Sequence, residues 1–428
     1  MRGKLILYGS PVLVVGAGIA GITVAQRLTE NNIKVYLVEK ESYIGGQALS
    51  YGCKGVESCN ECSVCLLQRK VKDIEGYFSN IFFRANSEIE EVKREGKIFK
   101  VTLKKEVSFI DPNKCQGCGL CEKLCPSSAI SLSHPQSIPR VYSLNTEHCL
   151  NFQNTECYIC VDNCPFGAIS FSHKIQKEIL SNISAIVMAT GFEPWNPKIK
   201  VEYGYGINKN VITATELEKQ IYTKGYVFRP SDKKRAKKIA IIQCVGSRDR
   251  SINNPNCSQV CCAYGMKMAR FLKEQDSKVE VSIFYMDIQP FGKGFTKFFN
   301  ECKEDYDIQY LRSTPSQISQ DKEGKIKIRY EDPQDGTIKK KYFDLAVLSI
   351  ALNPGTKFEK LAENLDIWIK DSGFCESPDS MQVIKTSQKG IFAAGTCQGP
   401  KGISECIANA ENAALEVILF LKTLKNKE

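Results

Sequence analysis

The chain of 428 residues contains only 3 His, too few to supply the mixed cysteine–histidine sites of most zinc modules. It has no run of about 18 consecutive apolar residues. Its best stretch, Ile183 to Thr190, is strand-sized, so no transmembrane segment is expected. The apolar stretch after Arg2 and Lys4 runs straight into a glycine fingerprint and has no small-residue cleavage site. It does not read as a secretory leader, and a cytoplasmic chain is expected. A second glycine fingerprint is also missing. After the strand pattern Ile239 to Gln243 comes Cys244-Val245-Gly246-Ser247-Arg248-Asp249, where one glycine cannot make a pyrophosphate turn.

What the chain has in quantity is cysteine, 20 in all. Without export, disulfides are a poor explanation, and with so little histidine the leading readings are iron–sulfur clusters or all-cysteine zinc. The formal charge of +10 is spread along the chain, and its densest run, Lys233-Lys234-Arg235-Ala236-Lys237-Lys238, merely precedes a strand. No nucleic-acid partner is expected. Four cubane clusters, each at about −2 with its thiolates, and a flavin pyrophosphate would together offset that basic excess.

From Pro11 the residues VLVVGAGIAGITVAQRLTENNIKVYLVEK describe a strand, a glycine turn, an amphipathic helix and a second strand ending in an acid. Gly16 permits the tight turn, Gly18 lets the backbone approach a pyrophosphate, and Gly21 lets the helix pack on the strand. Glu39, followed by Lys40, lies 18 residues after Gly21, where a carboxylate can bind ribose hydroxyls. Gly45-Gly46 follows the second strand. The buried strand Ala185 to Met188 runs into Ala189-Thr190-Gly191, and a late block, Thr386 to Thr396, ends in Gly395-Thr396 before a helix from Ile403 to Leu421. These segments resemble the flavin-binding blocks of thioredoxin-reductase-like flavoproteins, which usually carry Gly-Asp where this chain has Gly395-Thr396. The resemblance implies FAD.

Sixteen cysteines fall into four groups. Cys115-x2-Cys118-x2-Cys121-x3-Cys125-Pro126 is the bacterial ferredoxin run, whose fourth cysteine ligates the other cluster. Cys149-x7-Cys157-x2-Cys160-x3-Cys164-Pro165 repeats it 39 residues on, with a longer first gap. The crossed halves assign Cys115, Cys118, Cys121 and Cys164 to one cluster, and Cys149, Cys157, Cys160 and Cys125 to the other. Cys53-x5-Cys59-x2-Cys62-x2-Cys65 could hold a cubane, a zinc ion or redox thiols. Cys244-x12-Cys257-x3-Cys261-Cys262 could be a cluster site, or could form a redox-active disulfide between its vicinal pair. Cys302, Cys375, Cys397 and Cys406 read as buried small hydrophobes.

The expected fold is α/β: two Rossmann-like dinucleotide-binding-type domains with an inserted α+β two-cluster ferredoxin. The expected segments are 1–107 (flavin domain with the Cys53 block), 108–175 (ferredoxin insert), 176–235 (flavin domain), 236–340 (second Rossmann-like domain with the third cysteine group) and 341–428 (flavin domain).

Taken together, Cys244-Val245-Gly246-Ser247-Arg248-Asp249 with Cys257-Ser258-x2-Cys261-Cys262-Ala263-Tyr264, His134-Pro135-Gln136-Ser137-Ile138-Pro139 and Gln398-Gly399-Pro400-Lys401 resemble the A-type subunit family of heterodisulfide reductase. The resemblance implies a [4Fe-4S] cluster on the third cysteine group near the flavin, and a catalytic lysine near the flavin's reactive nitrogen, here Lys267. It also implies a FAD- and [4Fe-4S]-dependent electron-transfer subunit, with flavin-based bifurcation among its activities. Its partners would be B- and C-type subunits and a protein donor such as a hydrogenase or flavin oxidoreductase subunit, with a homodimer inside the larger complex. Long members carry further N- and C-terminal cluster domains, so a short form is expected. Two other readings compete: an NAD(P)H-dependent disulfide oxidoreductase using Cys261 and Cys262, which the missing fingerprint disfavours, and a non-catalytic wiring subunit.

Overall fold

The computed structural model describes residues 10–56, 58–77, 79–106, 108–134, 136–172, 175–289 and 292–425. Arg2, Lys4 and Pro135, weighed above, lie outside the described residues.

Two parallel five-stranded sheets organise the chain. In the first, Ile391–Ala393, Ala185–Met188, Val12–Val15, Val35–Val38 and Ile81–Arg84 lie side by side. Apart from the edge strand Ile81–Arg84, these strands are short apolar runs because both faces are covered. Val12, Val14, Leu37 and Val187 pack against the fingerprint helix Ile19–Glu30 and the C-terminal helix Ile403–Lys425. Leu13, Val15, Ile186 and Met188 turn the other way, onto Phe99, Val101, Leu103 and Leu180. Those residues belong to an antiparallel sheet of Ser87–Glu95, Ile98–Lys105 and Gln176–Ile183. Each fully buried aliphatic side chain in these layers contributes about 1.5–3 kcal/mol.

The second sheet repeats this plan, with the order Val211–Thr213, Leu345–Ile350, Lys238–Val245, Glu280–Tyr285, Gln309–Arg312. Helices Ala214–Lys224 and Cys261–Gln275 cover the face bearing Ile239, Ile241, Leu345 and Val347. An antiparallel trio, Gln317–Gln320, Ile326–Glu331 and Ile338–Phe343, covers the face bearing Ala240, Ile242 and Leu348. This membership differs from the expected boundaries. Val211–Thr213 and Leu345–Ile350, expected in flavin segments, pair within the second sheet, so it draws on chain outside 236–340 at both ends. The physical reason is that a short apolar run records its burial and not its partner strand.

The ferredoxin-like insert leaves the antiparallel sheet after Lys105 and returns at Gln176, residues that pair directly. It carries two short helices, Leu120–Leu124 and Ile159–Asp162, and the strand pair Ile130–Leu132 and Tyr142–Leu144. Among the described residues no helix is long and apolar enough to cross a membrane.

Candidate functional site

The fingerprint turn sits at the carboxyl ends of the first sheet's strands, where open α/β sheets bind ligands. Gly16 has φ +100°, and a Cβ there would lie 2.4 Å from the Ala189 carbonyl oxygen. A Cβ on Gly21 would lie 1.8 Å from the Gly16 carbonyl oxygen, so both positions require glycine. A Cβ on Gly18 would meet nothing within 4 Å, which leaves open space above the turn. Gly18 also bridges to Gly45, and Gly46 backs onto Gly18, which closes the crevice from the Gly45-Gly46 side. Glu39 is buried, and its two oxygens accept the Ala17 N–H at 2.7 Å and the Glu41 N–H at 3.0 Å. Burial pushes its pKa up against those backbone donors. Each oxygen keeps a lone pair for a ribose hydroxyl.

The turns Ala189-Thr190-Gly191 and Gly395-Thr396 meet across this crevice, where the Ala394 N–H donates to the Met188 carbonyl at 2.8 Å. The Thr190 hydroxyl is buried and has no hydrogen-bond partner among the described residues. Open space at Gly18 and an unmatched hydroxyl at Thr190 fit a dinucleotide such as FAD. Lys40 lies at the exposed rim, 3.9 Å from Glu193, and Ile403 begins the C-terminal helix, half-buried against the first core. Lys401, from the Gln398-Gly399-Pro400-Lys401 motif, and Asn409, which no sequence motif marks, support the late turn. Asn409 accepts the Gly395 N–H at 2.6 Å, and Lys401 donates to the Gly395 carbonyl at 3.3 Å. Asn409 lies mid-helix and carries no local sequence signal.

In the insert, Cys125, Cys149, Cys157 and Cys160 line one cavity with Pro126, Ile130 and Phe171. Cys125 reaches it from the first half of the repeat. Burial chiefly, with Cys149, Cys125 and Cys157 adding repulsion, pushes the Cys160 thiol up to about 11. The Cys121 thiol is pushed up to about 11 in the same way, by burial and then by Cys115 and Cys118. The repeat extends to hydrogen bonds: Ala129 N–H donates to Cys125 Sγ at 3.2 Å, and Ala168 N–H to Cys164 Sγ at 3.4 Å. Such N–H···S bonds help set cluster potentials. Thiols that repel one another when ionised suit a cationic core, which removes the penalty.

The third group forms where the second sheet's pyrophosphate turn would be. The strand register shifts between Ile242 and Val245, and Cys244 takes φ +59°. This brings Cys244 to the first turn of helix Cys261–Gln275. Hydrogen bonding to Cys261 holds the Cys244 thiol down and pulls Cys262 down to about 7. Cys261, bonded to both and buried, is raised well above the ordinary thiol range. Cys257 is raised by burial, with Cys244 and Cys262 adding to it, so all four thiols share one electrostatic neighbourhood. Arg248, paired with Asp287 through Nη2 at 3.1 Å, flanks them.

Cys53, Cys59 and Cys62 lie on a loop against helix Cys261–Gln275, and Cys65 opens the helix Val64–Asp73 that follows it; Cys62 is half-buried and the other three are exposed. One face of helix Cys261–Gln275 grips the loop. Tyr264 reaches the Glu218 carboxylate, which binds Lys54; Lys267 donates to the Glu61 carbonyl at 2.8 Å; Arg270 donates to Ser58 Oγ at 2.7 Å. Lys267 thus lies against the Cys53 block, its pKa lowered chiefly by burial. Glu61 and Ser63 take φ of 49° and 62°, and the Glu61 N–H donates to Cys59 Sγ at 3.4 Å.

All 20 cysteines are free thiols. Cys302, Cys375, Cys397 and Cys406 are buried. Among the described residues no group of three or more His, Cys, Asp or Glu is gathered around a single metal-ion position.

Residues 14–64 match a family described as an NAD(P)-binding Rossmann-like domain, and residues 114–168 match a 4Fe-4S dicluster domain. Lactococcus lactis thioredoxin reductase has the same fold at a TM-score of 0.54 and 16% identity, covering 97% of this chain and 99% of that one. T. acidophilum thioredoxin reductase gives 0.54 at 14% identity, covering 97% and 99%. The A-type subunit of the H(2):CoB-CoM heterodisulfide,ferredoxin reductase of Methanothermobacter thermautotrophicus is 35% identical over 94% of this chain and 62% of its own length. The A-type iron-sulfur subunit of the CoB--CoM heterodisulfide reductase of Methanocaldococcus jannaschii is 34% identical over 97% of this chain and 64% of its own length. Over the roughly three fifths of those relatives that it spans, the chain is similar to the A-type subunits of heterodisulfide reductases.

Proposed function

We propose that the chain is the FAD- and [4Fe-4S]-carrying electron-transfer subunit of a heterodisulfide-reductase-like oxidoreductase. The observation that carries this reading is the gathering of Cys244, Cys257, Cys261 and Cys262 where a nicotinamide-binding domain would hold pyrophosphate. When bound, a flavin takes up electrons in pairs and cubane clusters pass them singly, so the two together exchange pairs for single electrons. The protein's part is to hold them. Gly16, Gly18, Gly21 and Glu39, with Gly45, Gly46, Thr190 and Gly395, would cradle FAD, with Ala189, Gly191, Thr396, Lys40 and Ile403 around them. The two insert sets and the third group would each ligate a cluster, and Cys53, Cys59, Cys62 and Cys65 a fourth. Helix Cys261–Gln275 supports ligation, since its N-terminal dipole favours thiolates at Cys261 and Cys262.

The names of the relatives support assembly with other heterodisulfide-reductase-type subunits and a protein electron donor, and bifurcation belongs to the same reading. A second reading, a Cys261–Cys262 disulfide used as in disulfide reductases, is favoured by the low pKa of Cys262. Anaerobic reconstitution separates the two. The proposed reading expects about sixteen iron with one FAD, and loss of about four iron in Cys261→Ser. Unchanged iron in that variant would favour the disulfide.

A further inference from the structure

Gln243 is 5% exposed, and neither its Oε1 nor its Nε2 has a hydrogen-bond partner among the described residues. A buried carboxamide left unmatched on both atoms is costly, so native interiors keep one where something meets it. Its position says what that would be. Ile239 and Ile241 face helix Cys261–Gln275, and alternation puts Gln243 on the same face. The register shift and the positive φ of Cys244 bring the next side chain to that face as well, so Gln243 and Cys244 lie together under the helix. Gly265, one turn beyond Cys261, makes room for the amide: a Cβ there would lie 2.1 Å from Gln243 Nε2. On the neighbouring strand Ser349 follows Val347 on this face by the same alternation, and its buried hydroxyl is also unmatched.

We propose that Gln243 is a positioning residue whose Nε2 donates a hydrogen bond to a sulfur of the cluster held by Cys244, Cys257, Cys261 and Cys262. The inference rests on the cluster reading above. Donation to sulfur stabilises the reduced, more negative state and raises the centre's potential. The test uses full-length, anaerobically reconstituted protein, titrated with dithionite and followed by electron paramagnetic resonance. Gln243→Leu removes the donor, and Gly265→Ala displaces it while leaving the amide intact. Both are expected to keep the wild-type iron content and to lower one centre's potential by a tenfold change in its equilibrium, about 59 mV for one electron, with the insert centres unmoved. Gln243→Met decides the matter if the leucine variant does not assemble the centre. An unshifted potential with the signal present would overturn the inference alone, since the amide then meets water. Wild-type protein lacking this signal, with Cys261→Ser losing no iron, would overturn the cluster reading and the inference with it.

Discussion

Lys54 and Glu218 form an ion pair whose side chains are 5% and 3% exposed, and it joins the Cys53 loop to helix Ala214–Lys224. Taking two charges out of water costs several kcal/mol per ion, which the pair recovers only if its remaining donors and acceptors are met. They are. The Gly52 N–H donates to Glu218 at 3.1 Å, Lys54 donates to the Gly52 carbonyl at 3.1 Å, and the Tyr264 hydroxyl donates to the other carboxylate oxygen. The ammonium also lies 5.0 Å from the Tyr264 ring centroid and 5.8 Å from that of Tyr51. Gly52 permits the approach, because a Cβ there would collide with Tyr222.

Glu218→Ala should therefore destabilise the protein by about 3–5 kcal/mol, since it strands a buried cation. The double change Lys54→Met with Glu218→Leu should cost less than that single one. Urea unfolding measures both, and a single change costing under about 1 kcal/mol would show that water reaches the pair.

The crossing in the insert predicts which cysteines act as a unit. Cys125→Ser combined with Cys160→Ser should lose the same four or so iron atoms as either change alone. Cys125→Ser combined with Cys121→Ser should lose about eight. Additive loss in the first pair would mean that Cys125 serves the centre of its own half.

Glu39 makes a pH prediction. Burial raises its folded-state pKa above the unfolded value. The stability contribution is full below the unfolded glutamate pKa and is lost as pH rises through the folded one, because the folded state then holds the extra proton. Cofactor-free protein should lose stability across that window, while Glu39→Gln, which cannot titrate, should lack this slope. Parallel urea titrations from acid to neutral pH would show it, and equal slopes would refute it.

Although the fold class is shared with pyridine-nucleotide enzymes, neither NADH nor NADPH should reduce the flavin of the isolated chain at catalytic rates. Cys244 in the turn after Gln243, with Cys257, Cys261 and Cys262 gathered against it, places thiols where phosphates need backbone N–H groups, and a bound cluster's negative charge would repel them. Stopped-flow mixing that bleaches the flavin, saturating in the micromolar range of ordinary enzyme substrates, would contradict this.

The glycine fingerprint and the cysteine spacings are legible because each is a local pattern tied to a local geometry. Gly16 and Gly21 meet the contacts expected of them, and Cys125 reaches the other half of its repeat. Partnership between distant segments has no such local pattern. Leu345–Ile350 is apolar except for Ser349 and would suit either sheet. Lys54 looks like a loop lysine beside a cysteine, and only the folded chain brings Glu218 to it across 164 residues. Gln243 reads as the end of a strand, and its unmatched amide shows only once Gly265 is packed over it.

The facing of Lys105 and Gln176 has a consequence for how such a molecule can be built and rebuilt. Opposed residues of antiparallel strands have Cα atoms about 4.5–5.5 Å apart, a gap that a two-residue turn can close. The insert is therefore plugged into the tip of a hairpin, and it holds the scaffold at a second point, where the Ile44 N–H donates to the Ile138 carbonyl at 2.9 Å beside Gly45. Its two cysteine sets could be exchanged for others as one cassette, provided that the replacement keeps a partner for Ile44 at the crevice wall.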